Sequence, residues 1–331
     1  MANPIARRRA ISIIAAACGL PLLGLARTSH AGLDPVVWKG QALGAPATLI
    51  LNHPDRIKAQ QLIERVVLEV QRLESIFSLY REQSALSELN RFGALAMPPQ
   101  ELVAVLEASH AVWEETTGLF DPTVQPLWAV YAHHFARSDA QASGPPSADL
   151  DAVKALIGFQ NVHFNRDRIT FAKRGMGLTL NGVAQGYVTD RIVAMLRDAG
   201  VTSSLVDMGE NRAIGHRADG APWRIGLANT QGGDPTDAVI PLVDRAVATS
   251  SFSGFRFDTA GRFSHILDPH RGAADPLYRR LTTITGDATR ADAYSTAMSL
   301  MDMTQIRATL ARQPDIAVDL VTDAGDRLRL T

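Results

Sequence analysis

The chain of 331 residues has a single cysteine, Cys18, and almost no imbalance of charge. One thiol excludes an intramolecular disulfide and a zinc site built from cysteine pairs. The formal net charge is −1, and no basic cluster lies beyond the N-terminus, so the sequence lacks the pattern of a nucleic-acid-binding protein. It also lacks internal repeats, heptads and the G-x-G-x-x-G turn of a Rossmann dinucleotide fold.

The chain does have enough apolar sequence for a large core. Hydrophobic residues make up 46% and charged residues 20%, which is typical of one large domain or two closely packed ones. Helical and strand-like segments are mixed without a regular βαβ series. This predicts an α+β fold, with mixed or antiparallel sheets packed against helices in two intimate subdomains.

The N-terminus carries the pattern of an export signal. Three arginines at positions 7–9 precede an apolar run at residues 11–26, and residues 29–31 (SHA) form a small-x-small cleavage site. We therefore expect residues 1–31 to be a cleaved signal peptide and residues 32–331 to form the mature domain.

The arginines indicate the type of signal. Arg8 and Arg9 directly precede the apolar run, which favours the twin-arginine pathway over the ordinary Sec pathway and predicts a periplasmic protein. Two alternatives stay open. One is an uncleaved membrane anchor, although glycine and proline interrupt the short run; the other is a lipoprotein attached at Cys18.

Cleavage removes four of 33 basic residues, so 29 remain against 34 acidic ones. The predicted mature domain then has a net charge of −5, and it is expected to have no membrane span.

Two amphipathic helices are predicted in the first half. After a β-like opening at residues 36–51, Asp55 can cap a helix whose apolar residues follow three-to-four spacing. These residues are Ile63, Val66, Val70, Leu73 and Phe77. Pro98 and Pro99 open a second helix, and residues 138–147 are typical of an exposed loop.

Short β-branched runs predict an antiparallel or mixed sheet in the second half. They occupy residues 205–208, 223–227, 246–249, 264–267, 281–285 and 316–321. Two helices are predicted between them. One runs from about Ala184 to Ala199 and stops at Gly200, and the other begins near Asp292.

Asp292 and Thr296 are four residues apart on that last helix, so the carboxylate and the hydroxyl lie on one face. Ser295 adds a nearby hydroxyl. Oxygen ligands suit Mg²⁺, which binds few protein groups together with substrate phosphates. The same spacing is also typical of a helix start, with Asp292 as the cap and Thr296 bonding back to the backbone. Spacing alone leaves both interpretations open.

A glycine turn and a histidine are the other candidates for chemistry. Residues 181–187 (NGVAQGY) predict a turn into a helix N-terminus that favours phosphate oxygens, although a plain strand-to-helix connection has the same pattern. His265, on a predicted strand face with Leu267 before Asp268 and Pro269, can serve as a general base. It can equally be a hydrogen-bonded core histidine.

Two further segments have simpler interpretations. Residues 118–123 (GLFDPT) are typical of a helix stop and a turn, which can present Phe120 and Asp121 to an aromatic ligand. His133 and His134 are interpreted as a surface pair and not as metal ligands.

Several segments, in their order along the chain, resemble the ApbE family of FAD:protein FMN transferases. They are residues 77–80 (FSLY) with 84–90, then 118–122 (GLFDP), 180–187 (LNGVAQGY), 206–211 (VDMGEN), 248–250 (ATS), 265–269 (HILDP) and 291–296 (ADAYST). The resemblance covers nearly the whole mature chain. So many ordered motifs are far more specific than any one of them, and they imply an ApbE-like fold.

The resemblance also implies the roles of individual residues. Asp292, Thr296 and the backbone carbonyl of Gly182 bind Mg²⁺, and Ser295 stands where some relatives carry another acid. The FAD contacts fall at Tyr80, Phe120, Asp121, Thr179, Gln185 and Ile266.

The implied reaction transfers FMN from FAD to a threonine or serine hydroxyl of a client protein and releases AMP. We assign His265 as the general base and Asp268 as the residue that orients its loop. If water replaces the client hydroxyl, the protein is an FAD pyrophosphatase. A flavin-binding maturation chaperone or electron carrier without catalysis is the third alternative.

Four positions depart from the family pattern. Gln185 stands where relatives have Lys or Glu, Thr179 where they have Asp, Glu210 where they have a second Gly, and Arg271 where they have Thr. Gln185 adds no charge, so the FAD pyrophosphate would depend more on Mg²⁺. Together with the twin-arginine signal, these departures resemble the NosX branch. That implies NosR, the membrane partner in nitrous oxide reductase maturation, as the client.

Overall fold

The structure is a computed structural model that describes residues 20–21, 34–227, 236 and 238–331. Apart from Leu20–Pro21, the predicted signal peptide lies outside the described residues. Within these ranges the chain forms eight α-helices and sixteen strands, most of them short. Two single-turn 3₁₀ helices, Pro122–Val124 and Phe159–Asn161, connect some of them.

The helices are α1 Arg56–Phe77, α2 Ala85–Phe92, α3 Gln100–Glu115, α4 Gln125–Phe135, α5 Ser147–Lys154, α6 Ala184–Asp198, α7 Ala288–Met298 and α8 Met303–Arg312. The strands are β1 Leu20–Pro21, β2 Val36–Ala42, β3 Ala45–Leu51, β4 Ala94–Ala96, β5 Val162–Phe164, β6 Arg168–Phe171, β7 Ser204–Asp207, β8 Asn211–Ile214, β9 Trp223–Leu227, β10 Ala238–Leu242, β11 Ala246–Ser250, β12 Leu267–Asp268, β13 Gly272–Ala273, β14 Tyr278–Thr285, β15 Ala317–Thr322 and β16 Arg327–Leu330.

Eight strands form one sheet in the order β16-β15-β14-β11-β8-β7-β3-β2. Every neighbouring pair in it is antiparallel. Smaller sheets have the orders β1-β9-β10 and β4-β6-β5, and β12 pairs with β13 alone. Helices combined with antiparallel sheets confirm the predicted α+β class.

The central strands of the large sheet are buried on both faces. Side chains alternate along a strand, so Leu49 and Leu51 of β3 face one way and Ile50 the other. Leu49 and Leu51 join the main core with residues of α1, α6 and α7. Ile50 joins a second cluster that includes Trp223 and Ile225 of β9. Helices therefore cover one face of the sheet, and the β9–β10 pair covers the other.

Helix α1 forms as predicted from its cap and its apolar stripe. The carboxylate of Asp55 accepts hydrogen bonds from the backbone N–H groups of Ile57 at 2.9 Å and Lys58 at 3.1 Å, which satisfies two otherwise unpaired donors. All five predicted stripe residues are buried in the main core. This anchors the helix across the sheet.

Some predictions of local structure are wrong. Helices α2, α4, α5 and α8 were not predicted. Helix α7 begins four residues before Asp292, at Ala288, because Asp287 is its N-cap and accepts the N–H of Arg290 at 2.8 Å. None of the described helices combines the length and the hydropathy needed to cross a bilayer.

The predicted strand at residues 264–267 is also wrong, apart from its last residue. Ser264 forms only an isolated bridge with Arg256, and His265 lies in the irregular segment before β12. The reason is local pairing, because the backbone N–H of His265 donates to the carbonyl of Phe255 at 3.1 Å and not to a neighbouring long strand.

Candidate active site

A cleft of about 130 Å³ lies between the loop after α3, the turn before α6, the end of β11 and one face of α7. Nine of the twelve site residues predicted from the sequence line it. They are Phe120, Asp121, Thr179, Gly182, Gln185, His265, Ile266, Asp292 and Thr296. Tyr80, Asp268 and Ser295 do not line this cleft.

Asp292 lies in the second turn of α7 and is 4% exposed. Its Oδ2 accepts a hydrogen bond from the backbone N–H of Gly186, in the first turn of α6, at 3.1 Å. Burial raises the pKa of Asp292 to about 7; this N–H opposes the rise, and the nearby carboxylate of Asp190 adds to it. The alternative in which Asp292 caps its own helix is wrong, since Asp292 instead caps α6.

Thr296 follows Asp292 by one helical turn, and its hydroxyl lies against Gly182. A Cβ built on Gly182 would be 2.8 Å from Oγ1 of Thr296 and 3.4 Å from the ring of Phe120. Gly182 does not have a positive φ, so the glycine is needed for space and not for a left-handed turn. The structure therefore brings Gly182, Asp292 and Thr296 together.

Gly186 permits the close crossing of α6 and α7. It lies inside α6, and a Cβ on it would be 2.2 Å from the carbonyl oxygen of Ala288 in α7. The turn predicted at residues 181–187 therefore ends before Gly186, which lies inside the helix predicted from about Ala184. Its absent side chain lets the two helices touch, and this contact places its N–H within reach of Asp292.

Ser295 is buried beside Thr296 but points elsewhere. Its hydroxyl donates to the carbonyl of Asp292 at 2.9 Å and forms a hydrogen bond with the hydroxyl of Ser250 at 2.8 Å. Adjacent helical residues differ by about 100° in direction, which turns Ser295 toward β11. The structure does not bring Ser295 into the cleft with the other predicted metal ligands.

His265 has one nitrogen engaged by the protein. Its Nδ1 lies 2.9 Å from the carbonyl oxygen of Phe255. A carbonyl can only accept, so Nδ1 carries the proton and Nε2 holds the lone pair of the neutral ring. Burial lowers the pKa of His265, and the hydrogen bond to Phe255 opposes this. The site thus holds a neutral imidazole with a defined tautomer.

Asp268 shapes the turn that follows His265. Its Oδ1 accepts the backbone N–H groups of His270 at 2.8 Å and Arg271 at 3.0 Å, which is an Asx turn. Asp268 itself does not line the cleft, whereas its neighbours Ile266, Leu267 and Pro269 do.

Asp121 lines the opposite side of the cleft with its carboxylate fully engaged. Oδ1 accepts the N–H of Thr123 at 2.8 Å and its hydroxyl at 2.5 Å. Oδ2 accepts the indole N–H of Trp113 and the backbone N–H of Phe159, both at 3.1 Å. Burial raises the pKa of Asp121 against these four hydrogen bonds. The carboxylate ties α3 to two 3₁₀ turns.

Gln185 is a buried amide side chain in the cleft wall. It is 4% exposed, and its Nε2 has no hydrogen-bond partner among the described residues. The carboxamide lies on Gly209, where a Cβ would be 2.5 Å from both Cδ and Nε2 and where φ is +109°. The neighbouring Glu210 also lines the cleft and is 2% exposed.

Thr179 lines the cleft, and Tyr80 lines a pocket beside it. Tyr80 is 39% exposed and lines a small adjoining pocket that shares Asn181 and Gln185 with the cleft. Thr179 is held by its N–H, which donates to the carbonyl of Pro122 at 2.8 Å. The cleft and the Tyr80 pocket thus form neighbouring parts of one surface.

The cleft also contains residues that were not predicted as site residues, among them Trp128, and Glu210 and Ser250 from the family motifs. The ring of Trp128 stacks on Phe255 at 6.4 Å, and Phe255 packs edge-on against His265 at 6.4 Å. The spacing of Trp128, Tyr131 and Phe135 on α4 was a readable helical signal.

His133 and His134 lie in the last turn of α4, outside the cleft. His134 Nε2 is 2.9 Å from the carbonyl oxygen of Gln141. Across the described residues, no group of three or more His, Cys, Asp and Glu side chains is arranged to hold a metal ion.

The known proteins that are similar to this chain indicate one family. A model of the ApbE family matches residues 43–320. A protein of Escherichia coli (strain K12) named FAD:protein FMN transferase is 24% identical over 308 residues, with 89% of this chain and 86% of that protein covered. A protein of the same name from Treponema pallidum (strain Nichols) is 28% identical over 280 residues, with 77% and 75% covered.

Solved structures give the same fold. The flavinyl transferase ApbE of Pseudomonas stutzeri, in its apo form, superposes with a TM-score of 0.77 at 24% identity, covering 92% of this chain and 98% of that one. The ApbE protein of Thermotoga maritima superposes with a TM-score of 0.79 at 27% identity, covering 89% and 96%.

Proposed function

Since this chain belongs to the ApbE family, we propose that it transfers FMN from FAD to a threonine or serine hydroxyl of a client protein, with Mg²⁺ bound and AMP released. One observation carries the proposal. A buried carboxylate, Asp292, lines the same cleft as the hydroxyl of Thr296, which lies against Gly182, and this cleft also contains His265. The shared name of the relatives, FAD:protein FMN transferase, supports the class of enzyme.

The donor set fits Mg²⁺. Asp292 and Thr296 offer oxygen atoms, with the carbonyl of Gly182 proposed as the third, and Mg²⁺ prefers oxygen and accepts few protein ligands when a phosphate completes its shell. The raised pKa of Asp292 reflects a buried negative charge that the protein compensates only weakly. A bound cation would supply the missing compensation. When bound, Mg²⁺ neutralises charge on the pyrophosphate and the leaving phosphate.

The residues of the chain position the reactants and move one proton. The client hydroxyl oxygen forms a bond to the FMN-side phosphorus of FAD, the pyrophosphate P–O bond breaks, and AMP leaves. The hydroxyl proton passes to Nε2 of His265, whose Nδ1 is fixed by Phe255. Asp268 holds the turn after His265. No covalent enzyme intermediate is needed, so positioning and electrostatics supply most of the acceleration.

FAD binding is proposed along the cleft and the adjoining Tyr80 pocket. Phe120 and Ile266 supply apolar walls, and Gln185 supplies a buried amide donor. Tyr80 can cover the ligand from the neighbouring pocket. Asp121 and Thr179 contribute through the shape of the wall, because their described polar contacts are made within the protein.

The physiological setting is a further part of the proposal. Residues 1–31 are proposed as a twin-arginine signal peptide, residues 32–331 as the periplasmic mature domain, and NosR as the client in nitrous oxide reductase maturation. The support is Arg8 and Arg9 before the apolar run, together with Gln185 and Glu210. Loss of periplasmic protein when only the twin-arginine pathway is disabled is expected; normal export there would refute this route.

Intact-mass spectrometry tests the activity. The mature protein is incubated with FAD, Mg²⁺ and a periplasmic domain of NosR, with EDTA and Asp292→Asn as controls. A client mass increased by one FMN, with AMP released and both controls blank, is expected. Free FMN and AMP with unchanged client would identify an FAD pyrophosphatase. Intact FAD throughout would contradict catalysis on this client and favour a flavin-binding chaperone.

A further inference from the structure

Asp190 connects three elements that surround the cleft. It lies on α6, one turn after Gly186. Its carboxylate accepts the backbone N–H groups of Ala288 and Thr289, each at 2.8 Å, and the hydroxyl of Thr289 at 2.6 Å. It also forms an ion pair with Arg212 of β8 at 2.5 Å. One side chain of α6 therefore holds the first turn of α7 and a strand of the large sheet.

The contact between the two helices is reciprocal. Asp190 of α6 satisfies N–H groups in the first turn of α7, and Asp292 of α7 accepts the N–H of Gly186 in the first turn of α6. The backbones touch between these two contacts, where a Cβ on Gly186 would collide with the carbonyl of Ala288. Two carboxylates and one glycine thus fix how far α7 can slide or rotate on α6.

We propose that Asp190 is a positioning residue for the metal site, which it serves by fixing the register of α6 against α7. The inference rests on the proposed function, because it concerns the metal site assigned there. Gly182 lies just before α6, whereas Asp292 and Thr296 lie on α7. Their mutual distances therefore depend on the register of two helices that are far apart in sequence.

Asp190 does not act as a ligand itself. It is absent from the cleft wall, and the ion pair with Arg212 compensates its charge, with both side chains about 15% exposed. Residues behind metal ligands commonly change metal affinity by about 10- to 100-fold when they are replaced. An effect in that range on metal binding is what the geometry implies.

Helix α7 offers a matched control. Asp287 is its ordinary N-cap and accepts the N–H of Arg290 at 2.8 Å. Asp287 and Asp190 thus both satisfy N–H groups in the first turn of one helix, but only Asp190 belongs to the other helix. A simple loss of helix capping should have the same consequence in either variant, whereas a loss of register should follow only from Asp190→Asn.

The test measures Mn²⁺ binding by electron paramagnetic resonance in the FAD-free mature protein, for wild type, Asp190→Asn and Asp287→Asn. Thermal unfolding of each variant is measured in EDTA. We expect Asp190→Asn to weaken Mn²⁺ binding at least about tenfold, and Asp287→Asn to change it less than about twofold at a similar loss of melting temperature. Thr289→Val keeps Asp190 and removes one hydrogen bond, so a smaller weakening is expected even if Asp190→Asn does not fold.

Other results of these experiments would contradict the positioning role of Asp190 or the metal site itself. Equal effects of Asp190→Asn and Asp287→Asn on Mn²⁺ binding would overturn the positioning role and leave the proposed enzyme intact. Unchanged binding in Asp190→Asn, or in Thr289→Val where Asp190→Asn fails to fold, would do the same. No Mn²⁺ binding by wild type would overturn the metal site and this inference together, while FMN transfer in EDTA would separately overturn the metal dependence of the reaction.

Discussion

The two sides of the cleft carry buried carboxylates of opposite character. Asp121 receives four hydrogen bonds from three residues around it. Asp292 has one described hydrogen bond to a side-chain oxygen, from Gly186, although it is equally buried. Burial raises the pKa of both carboxyl groups, that of Asp292 to about 7.

This difference distinguishes a carboxylate that stabilises the fold from one that is available to bind a ligand. A buried charge that the protein fully surrounds with donors holds the fold together, because its removal leaves those donors unpaired. A buried charge with little compensation costs stability in the free protein and gains most when a cation binds. We therefore propose that Asp121 keeps the shape of the cleft and that Asp292 is the group prepared for the cation. Four substitutions test this comparison.

Asp292→Asn should have the largest effect. The amide keeps the shape but loses the charge, so we expect Mn²⁺ binding to disappear and FMN transfer to fall by about 10³-fold or more, as metal assistance contributes several kcal/mol. In EDTA the variant should unfold at or above the wild-type temperature, because a neutral amide is easier to bury. Mn²⁺ titration, AMP release and calorimetry measure the three effects; a variant that is clearly less stable in EDTA would refute the assignment of Asp292 as under-compensated.

His265 has one ring nitrogen of each kind. Nδ1 is held by the carbonyl of Phe255, and Nε2 is left to accept a proton. His265→Ala should lower FMN transfer about 100-fold or more with little change in Mn²⁺ binding. The acting form is the neutral ring, and burial lowers its pKa. At saturating Mg²⁺, which would keep Asp292 ionised, transfer by wild type should therefore fall with decreasing pH only below about 6.5, the ordinary imidazole value.

A pH series of AMP release under saturating FAD and Mg²⁺ checks this. An acid limb that is the same in wild type and in His265→Ala would mean that a group other than His265, such as Asp292, titrates in the reaction, and would refute the assignment of the limb to His265.

Much of this site could be predicted from short-range patterns. Asp292 and Thr296 share a helical face because they are one turn apart, and in the structure both line the cleft together with Gly182, which Thr296 contacts. Ordered motifs placed His265 and Gln185 in the same cleft. The cap of α8 was also readable, since Asp302 and Gln305 form a capping box, although it was not used.

The rest depends on contacts between distant residues. Asp292 accepts a hydrogen bond from a residue 106 positions away, so no local pattern shows that it caps another helix. Ser295 and Thr296 are adjacent in sequence, and only packing against β11 decides which one faces the cleft. Asp121 resembles a ligand contact in the sequence, while its partners Trp113 and Phe159 come together only in the fold.

Asp121→Asn is the counterpart of Asp292→Asn. Whichever way the amide is turned, its NH₂ group meets donors, either Thr123 or the pair Trp113 and Phe159. We expect a loss of about 1–3 kcal/mol in the free energy of unfolding, with Mn²⁺ binding of the folded protein unchanged. Urea denaturation and Mn²⁺ titration below the unfolding transition measure these quantities. If the variant keeps its full stability but loses Mn²⁺ binding, Asp121 takes part in metal binding, and the contrast between Asp121 and Asp292 is wrong.

Gln185→Met should have the smallest effect and extends the comparison to a neutral group. The Nε2 of Gln185 is buried without a partner in the described structure, so methionine, which is similar in length and has no donor, should leave the free energy of unfolding unchanged or raise it by up to about 1 kcal/mol. FAD binding, followed by quenching of flavin fluorescence, should weaken about five- to tenfold because one buried hydrogen bond to the ligand is lost. Unchanged FAD affinity would show that the unpaired amide does not meet FAD. A loss of stability would place Gln185 with Asp121, among the groups that hold the fold.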